Sequence, residues 1–315
     1  METLGMEIVK NVQKVGWAGI EREFTSIRST IQKDVLTYAH FLKNPNKNRY
    51  MDVVCLDNTR YSLITNVPPL SDYVHANRVK LDGAERDYIA TQAPMSSTVE
   101  DFWRLVYDAN STHVISLQEL EMISGKKGES IFPLKVDSTF TFGCMLVTTK
   151  TIINSPGEAE TTGFICVQVE VRPDDSNTSV MCKVVQTSEW PDDGIHVRER
   201  RIAINVMRSV ETGEKGTVII HCSAGIGRTA TYIMLTTVLW RLRKGKPINI
   251  PSMLMELRQQ RASSIQTSEQ YANVYLLLIE YLMCKYESIF GKIGTQLMNS
   301  YAEYKKSKKY VSLSL

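Results

Sequence analysis

Along residues 1–43 the apolar positions Ile8, Val12, Val15, Ile20, Phe24, Ile27, Ile31, Val35 and Phe41 recur mostly at three- or four-residue steps. That period lays one apolar stripe on a helix, so this stretch is predicted to be a helical lead-in. Asn44-Pro-Asn-Lys-Asn48 breaks the stripe, and residues 50–90 alternate short extended runs with polar turns. Thr98 to Asn110 is again helical in pattern, with Thr98 in the N-cap position. Residues 112–190 read as strand-rich, with Val114–Leu117, Thr139–Thr149, Phe164–Val171 and Met181–Val185 as strands. Asn154-Ser-Pro-Gly157 and Arg172–Asn177 read as turns between them. Helical spacing returns at Val197–Thr212, Thr229–Lys244, Ile250–Gln260 and Thr267–Tyr286. With 315 residues, no repeat and no linker, the pattern predicts one α/β domain. Its expected parts are a lead-in at 1–43, a main body at 44–287 and a helical, basic tail at 288–315.

One segment carries chemistry as well as structure. Val218, Ile219 and Ile220 have the β-branching of a buried strand, and a helical pattern begins near Thr229. Between them lies Cys222-Ser223-Ala224-Gly225-Ile226-Gly227-Arg228, a thiol, five small or apolar residues and an arginine. Gly225 and Gly227 permit backbone angles at which successive N–H groups converge, and the following helix adds its N-terminal field. Five intervening residues let the chain wrap a phosphate, so that Arg228 returns to fork two of its oxygens. Such an electropositive cradle favours a thiolate, the nucleophilic form of cysteine. A Cys-x5-Arg spacing alone is a weak pattern, and a lone Cys is more often a small apolar core residue. His221, the two glycines, Thr229 and the strand–turn–helix setting make it specific. No Gly-Lys-Ser/Thr follows, so it is not an ATP-binding loop.

Composition narrows the setting. Hydrophobic content of 43% and charged content of 23% are ordinary for a globular protein, and a net charge of +3 gives no case for nucleic acid. The six cysteines show no Cys-x-x-Cys pair, which fits reduced thiols and an intracellular, cytoplasmic setting. The opening residues lack the pattern of a secretory leader, and the most apolar stretch, Ala272–Met283, is too short to span a membrane. Lys305-Lys-Ser-Lys-Lys309 reads as a solvated helix end, with weak attraction to acidic lipid as the sharper alternative. The five histidines show no ligand spacing, so no metal or other cofactor is expected.

His221-Cys-Ser-Ala-Gly-Ile-Gly-Arg-Thr229 resembles the signature of the phosphotyrosine-specific protein tyrosine phosphatases of non-receptor type. Six further segments resemble that family's landmarks in order. They are Lys47–Val53, Asp72–Asn77, Tyr88–Pro94, Asp101-Phe-Trp103, Trp190-Pro191-Asp192, and Ile265-Gln266-Thr267 with Gln270. The resemblance implies a single α/β domain with a highly twisted mixed central sheet flanked by helices on both sides. It also implies roles. Cys222 is the nucleophile, Arg228 and the amides of Ser223 to Gly227 bind phosphate, and Asp192 is the general acid and base. Gln266 and Gln270 orient water, Thr229 assists the leaving thiolate, and His221 supports the cysteine. Tyr50 stacks on the phosphotyrosine ring and Asp52 accepts hydrogen bonds from the substrate backbone. Lys47 and Arg49 fall to local structural or peptide-steering work, and Lys127 to a lysine that approaches the acid loop. The implied enzyme is a monomer acting on phosphotyrosine proteins, without cofactor.

Departures from the family pattern bear on activity. Ile131-Phe132-Pro133 stands where a tyrosine hydroxyl usually supports the signature histidine. Ala230 and Ser263 stand where glycines are usual, and Asp193 and His196 alter the acid loop. Cys55 and the Asp72–Asn77 spelling resemble a nematode-type branch. The second reading is therefore a weak or inactive domain that serves as a phosphotyrosine-binding scaffold.

Overall fold

The computed structural model describes the chain except for residues 31–35, 119–129, 191–195, 212–214 and 314–315. Helix α1 (Glu2–Thr30) opens the chain, and α2 (Ala39–Lys43) with a short 3₁₀ turn (Pro45–Lys47) leads into the body. The strands are β1 (Arg60–Ser62), β2 (Tyr73–Val79), β3 (Tyr88–Thr91), β4 (His113–Ser116), β5 (Thr139–Phe142), β6 (Met145–Asn154), β7 (Ile165–Pro173), β8 (Val180–Gln186) and β9 (Val218–His221). Helices α3 (Val99–Asp108) and α4 (Pro156–Thr162) lie among them. Helices α5 (Val197–Glu211), α6 (Arg228–Arg243), α7 (Ile250–Gln260), α8 (Ser268–Lys285) and α9 (Glu287–Leu313) follow.

The strands form one mixed sheet in the order β1-β2-β3-β9-β4-β8-β7-β6-β5. The pairs β3–β9, β9–β4 and β4–β8 are parallel and the outer pairs antiparallel. Alternation divides the central strands between two cores. Tyr88, Ala90, Ile115, Val218 and Ile220 point into the cluster built with α1 and α5–α9. Ile89, Val114 and Ile219 point into the opposite cluster with Phe102, Trp103 and Val106 of α3. The expected twisted mixed sheet with helices on both sides is thus the architecture found. The central strands are buried on both faces, and at its C-terminal end β9 runs into the phosphate-loop segment.

Four expectations are corrected. The apolar stripe of α1 breaks at Gly16 (φ 67°, ψ 171°), so Val15 is 39% exposed while Val9 and Trp17 are buried. The glycine's left-handed geometry resets the helix face, and Trp17 now donates its indole N–H toward the Leu297 carbonyl (3.2 Å) and Ser300 Oγ (3.1 Å) of α9. Ile31 and Val35 lie outside the described residues. Thr139–Thr149 is a hairpin, not one strand, because Gly143 turns the chain at φ 57°. Asn154–Gly157 does not stay a turn: Ser155 and Glu158 form a reciprocal capping box that starts α4. Thr98 precedes α3 without capping it, since its hydroxyl instead accepts from Met95 N–H (2.9 Å).

Candidate active site

The loop between β9 and α6 is held by its carbonyls. His221 O accepts from Leu117 N–H (2.8 Å), Ser223 O from Ala93 N–H (2.9 Å), Ile226 O from Ile265 N–H (2.7 Å) and Gly227 O from Thr231 N–H (3.0 Å). Ala224 O and Gly225 O accept from Arg261 Nη2 (3.0 Å) and Nε (3.2 Å). With every carbonyl from Ser223 to Gly227 fastened to surrounding structure, the N–H groups are what remains. Among the described residues none of the N–H groups of 223–227 has a protein acceptor. Buried amides without acceptors are costly, and a run of them next to a helix N-terminus suits an anion. Gly225 sits at φ 71°, and a Cβ there would overlap the Thr91 carbonyl, so glycine is required. A Cβ on Gly227 would come 2.6 Å from Gln270 Nε2 and 3.0 Å from Gln266 Oε1. The absence of that atom lets both glutamine side chains close on the loop.

Cys222 opens the loop with 6% of its surface exposed, and Arg228 begins α6, half-buried, with Nη1 donating to Leu117 O (3.1 Å). Thr229 is fully buried and its hydroxyl has no hydrogen-bond partner among the described residues. Tyr50, 37% exposed, meets Ser223 Oγ through its hydroxyl at 2.7 Å. Val53 packs with Ala224 and Ile226 in one small cluster. Asp52, Val53, Ile226, Ser263, Ile265 and Gln266 line a common cleft of about 510 Å³. The structure therefore brings together Tyr50, Asp52, residues 222–228, Gln266 and Gln270. Asp192, Asp193 and Lys127 lie outside the described residues. The two sides of that acid segment are anchored: Trp190 packs on Tyr232 (5.6 Å), and Arg198 makes a two-pronged pair with Glu189 (2.7 and 3.1 Å).

Burial sets the state of His221. Its pKa is pushed down to about 4, first by burial and further by the Arg49 charge, against a weak contact to the Cys222 carbonyl at 3.3 Å. Its Nε2 has no partner among the described residues, and the Phe102 ring stands edge-on at 5.6 Å. Ile131, buried and apolar, supplies only a carbonyl, to Trp103 Nε1 (3.0 Å). Lys47 and Arg49 do structural work, as Lys47 pairs with Asp101 (2.8 Å) and Arg49 donates to the carbonyls of Ala93 and Pro94.

The protein-tyrosine phosphatase family profile matches residues 44–280. The chain belongs to the protein-tyrosine phosphatase family. Among relatives of this phosphatase domain, a Lar-like tyrosine-protein phosphatase of Caenorhabditis elegans is 33% identical over 264 residues, 82% of this chain but 12% of that protein. Tyrosine-protein phosphatase non-receptor type 20 of Rattus norvegicus is 30% identical over 281 residues, 88% of this chain and 64% of that protein. The chain thus spans less than two thirds of the length of either. A crystal structure of a Trypanosoma cruzi protein tyrosine phosphatase superposes with a TM-score of 0.71 at 26% identity, covering 88% of this chain and 96% of that one. Relatives include receptor types, such as receptor-type phosphatase zeta of Homo sapiens at 30% identity. Among the described residues no helix is long and apolar enough to cross a membrane.

Sequence reasoning missed the group behind the phosphatase loop. Arg261 is fully buried, donates to both loop carbonyls named above, and spends Nη1 on Asn77 Oδ1 (2.8 Å). His75 Nδ1 lies 3.3 and 3.2 Å from its two terminal nitrogens. An arginine four residues ahead of Ile265-Gln266 carries no periodic or spacing signal of this role. The neighbouring Ser263 and Ile265 sit at φ 58° and 57°. A β-branched residue held in that region is strained and must be fixed by its surroundings. Arg258 does this from α7, donating to Ser264 O (2.8 Å) and Ile265 O (2.9 Å). The basic tail is also more engaged than expected, with Lys305 paired to Glu269 (3.0 Å) and Lys308 to Glu21.

Proposed function

We propose that the chain hydrolyses phosphotyrosine in proteins through a phosphocysteine intermediate. The observation that carries this reading is the row of loop amides beside Cys222 that have no acceptor among the described residues, with every loop carbonyl tied back. In the first step Cys222 Sγ forms a bond to phosphorus as the bond to the phenolic oxygen breaks. Asp192, given the acid role by the family resemblance, protonates that oxygen. Arg228 and the amides take up the charge spread over the three remaining oxygens. In the second step water attacks phosphorus, the S–P bond breaks and phosphate leaves. Gln266 and Gln270 orient that water, Asp192 accepts its proton and Thr229 hydrogen-bonds the departing thiolate. The positions of both glutamines against Gly227 support this division of labour. Tyr50 at the pocket wall and Asp52 on the shared cleft support a phosphotyrosine peptide as substrate, because a phosphoserine stem is too short to span that wall. We assign the activity to residues 44–287 of a monomeric, non-receptor, cytoplasmic protein. Its free cysteines are compatible with a reducing compartment.

The test is turnover of a phosphotyrosine peptide by the parent, Cys222→Ser and Asp192→Asn. The parent releases phosphate, Cys222→Ser binds the peptide without turnover, and Asp192→Asn loses roughly 10²–10⁴ in kcat. Wild-type turnover in Asp192→Asn would move the acid role elsewhere, with Asp193 the next residue to test. Tight binding without turnover by the parent would favour the scaffold reading, which is supported by a His221 Nε2 that has no partner among the described residues.

A further inference from the structure

We propose that His75 is a positioning residue that couples the substrate-facing segment Tyr50–Val53 to the phosphate loop Cys222–Arg228, a claim that rests on the catalytic reading above. His75 is 2% exposed in the middle of β2, yet both ring nitrogens are engaged. Nε2 lies 2.8 Å from the carbonyl of Val53, the residue after Asp52. Nδ1 faces Nη1 and Nη2 of Arg261 at 3.3 and 3.2 Å. A carbonyl only accepts and a guanidinium only donates, so the ring must carry its proton on Nε2 and accept at Nδ1. Burial and the Arg261 charge push its pKa down to about 3, which keeps the ring in that neutral form. One flat side chain therefore bridges two loops. On one side it fixes the backbone beside Asp52 and the Val53 side chain that packs on Ala224 and Ile226. On the other it holds Arg261 in the orientation that pins the carbonyls of Ala224 and Gly225. The His75 backbone adds to this: its carbonyl accepts from Thr91 Oγ1 (2.9 Å), at the strand end that Gly225 packs against. The Phe41 ring, edge-on at 5.8 Å, closes the remaining side.

The two halves of the bridge are separable. In His75→Asn an amide oxygen falls near the Nδ1 position and nothing reaches Val53. In His75→Gln an amide N–H₂ falls near the Nε2 position and the acceptor for Arg261 is lost. Measure kcat and KM for a phosphotyrosine peptide and for a small aryl phosphate, with the Kd for orthovanadate and the Tm. His75→Asn should raise KM for the peptide about tenfold, and that for the small ester at least about threefold less, the scale of one buried hydrogen bond lost. His75→Gln should weaken orthovanadate and lower kcat for both substrates by about tenfold, again one unpaired buried group. Equal losses on both substrates that track Tm in both variants would reduce His75 to a structural residue and overturn the coupling. Unchanged orthovanadate affinity in His75→Gln would overturn it as well. If the parent turned over neither substrate the catalytic reading would fail, while the orthovanadate comparison would still decide the role of His75.

Discussion

The loop Cys222–Gly227 and the frame behind it reach the same end by opposite means. The loop is one contiguous run of small residues whose side chains contribute little packing, and it spends its backbone on the pocket. The frame is assembled from three distant segments, His75 and Asn77 on β2, Thr91 on β3 and Arg261 after α7, and works almost wholly through side chains. Among the described residues the loop's N–H groups have no protein acceptor, while the frame and its neighbours claim its carbonyls. What the contrast teaches is that an anion cradle is half binding group and half scaffold. A lesion in either half should cost activity, but through different observables.

Gly225→Ala is the harshest test on the loop side. The left-handed φ and the overlap with Thr91 give roughly 1–3 kcal/mol of strain and about as much again from overpacking. Turnover should be lost and the thermal midpoint should fall. Near-normal kinetics in that variant would show that the loop does not require its observed shape. On the frame side, Arg261→Met keeps an unbranched apolar stem and removes every guanidinium hydrogen bond. Left with unpaired carbonyls, the protein should lose about 1–3 kcal/mol of stability for each stranded group. Its kcat should fall with little change in peptide KM, whereas a rise in KM alone would separate the frame from the chemistry.

Much of the loop and little of the frame was legible in the sequence, and the reason is physical. Glycines, a thiol and an arginine between a β-branched run and a helix encode their conformation locally, so Cys222–Thr229 could be read as a unit. Trp190-Pro191-Asp192 and Ile265-Gln266-Thr267 were legible only as motifs that resemble the family's landmarks. His75 and Arg261 act across 186 residues of sequence, and a histidine inside an apolar strand looks like any buried histidine. The misplaced elements follow the same logic: α4 was signalled by Ser155-x-x-Glu158 but masked by Pro156-Gly157. The Val15 face of α1 was overturned by one glycine whose φ no periodicity reports.

Smaller effects sharpen the contrast. Tyr50→Ala removes an aromatic wall without touching the frame and should reduce kcat/KM for an aryl phosphate by about 1–3 kcal/mol, the scale of ring pairing plus lost burial. An equal loss on a non-aromatic phosphate ester would contradict the stacking role. Acid should strike loop and frame together. Burial holds His75 at about 3 and His113 and His221 at about 4. The unfolded chain takes up these protons near pH 6.5 and the folded chain does not, so stability is full above that pH and falls as pH drops toward about 4. Thermal melts across that window should show the decline, with a shallower slope in His75→Asn. A flat profile would mean these rings are not held neutral by the fold.

The central claim, that Cys222 in this cradle takes the phosphoryl group covalently, is tested most directly by acid quench during turnover of a radiolabelled phosphotyrosine peptide. The account predicts label on the proteolytic fragment that carries Cys222, none in Cys222→Ser, and accumulation of label in Gln266→Ala as hydrolysis slows. Label on another residue, or phosphate release that persists in Cys222→Ser, would contradict it.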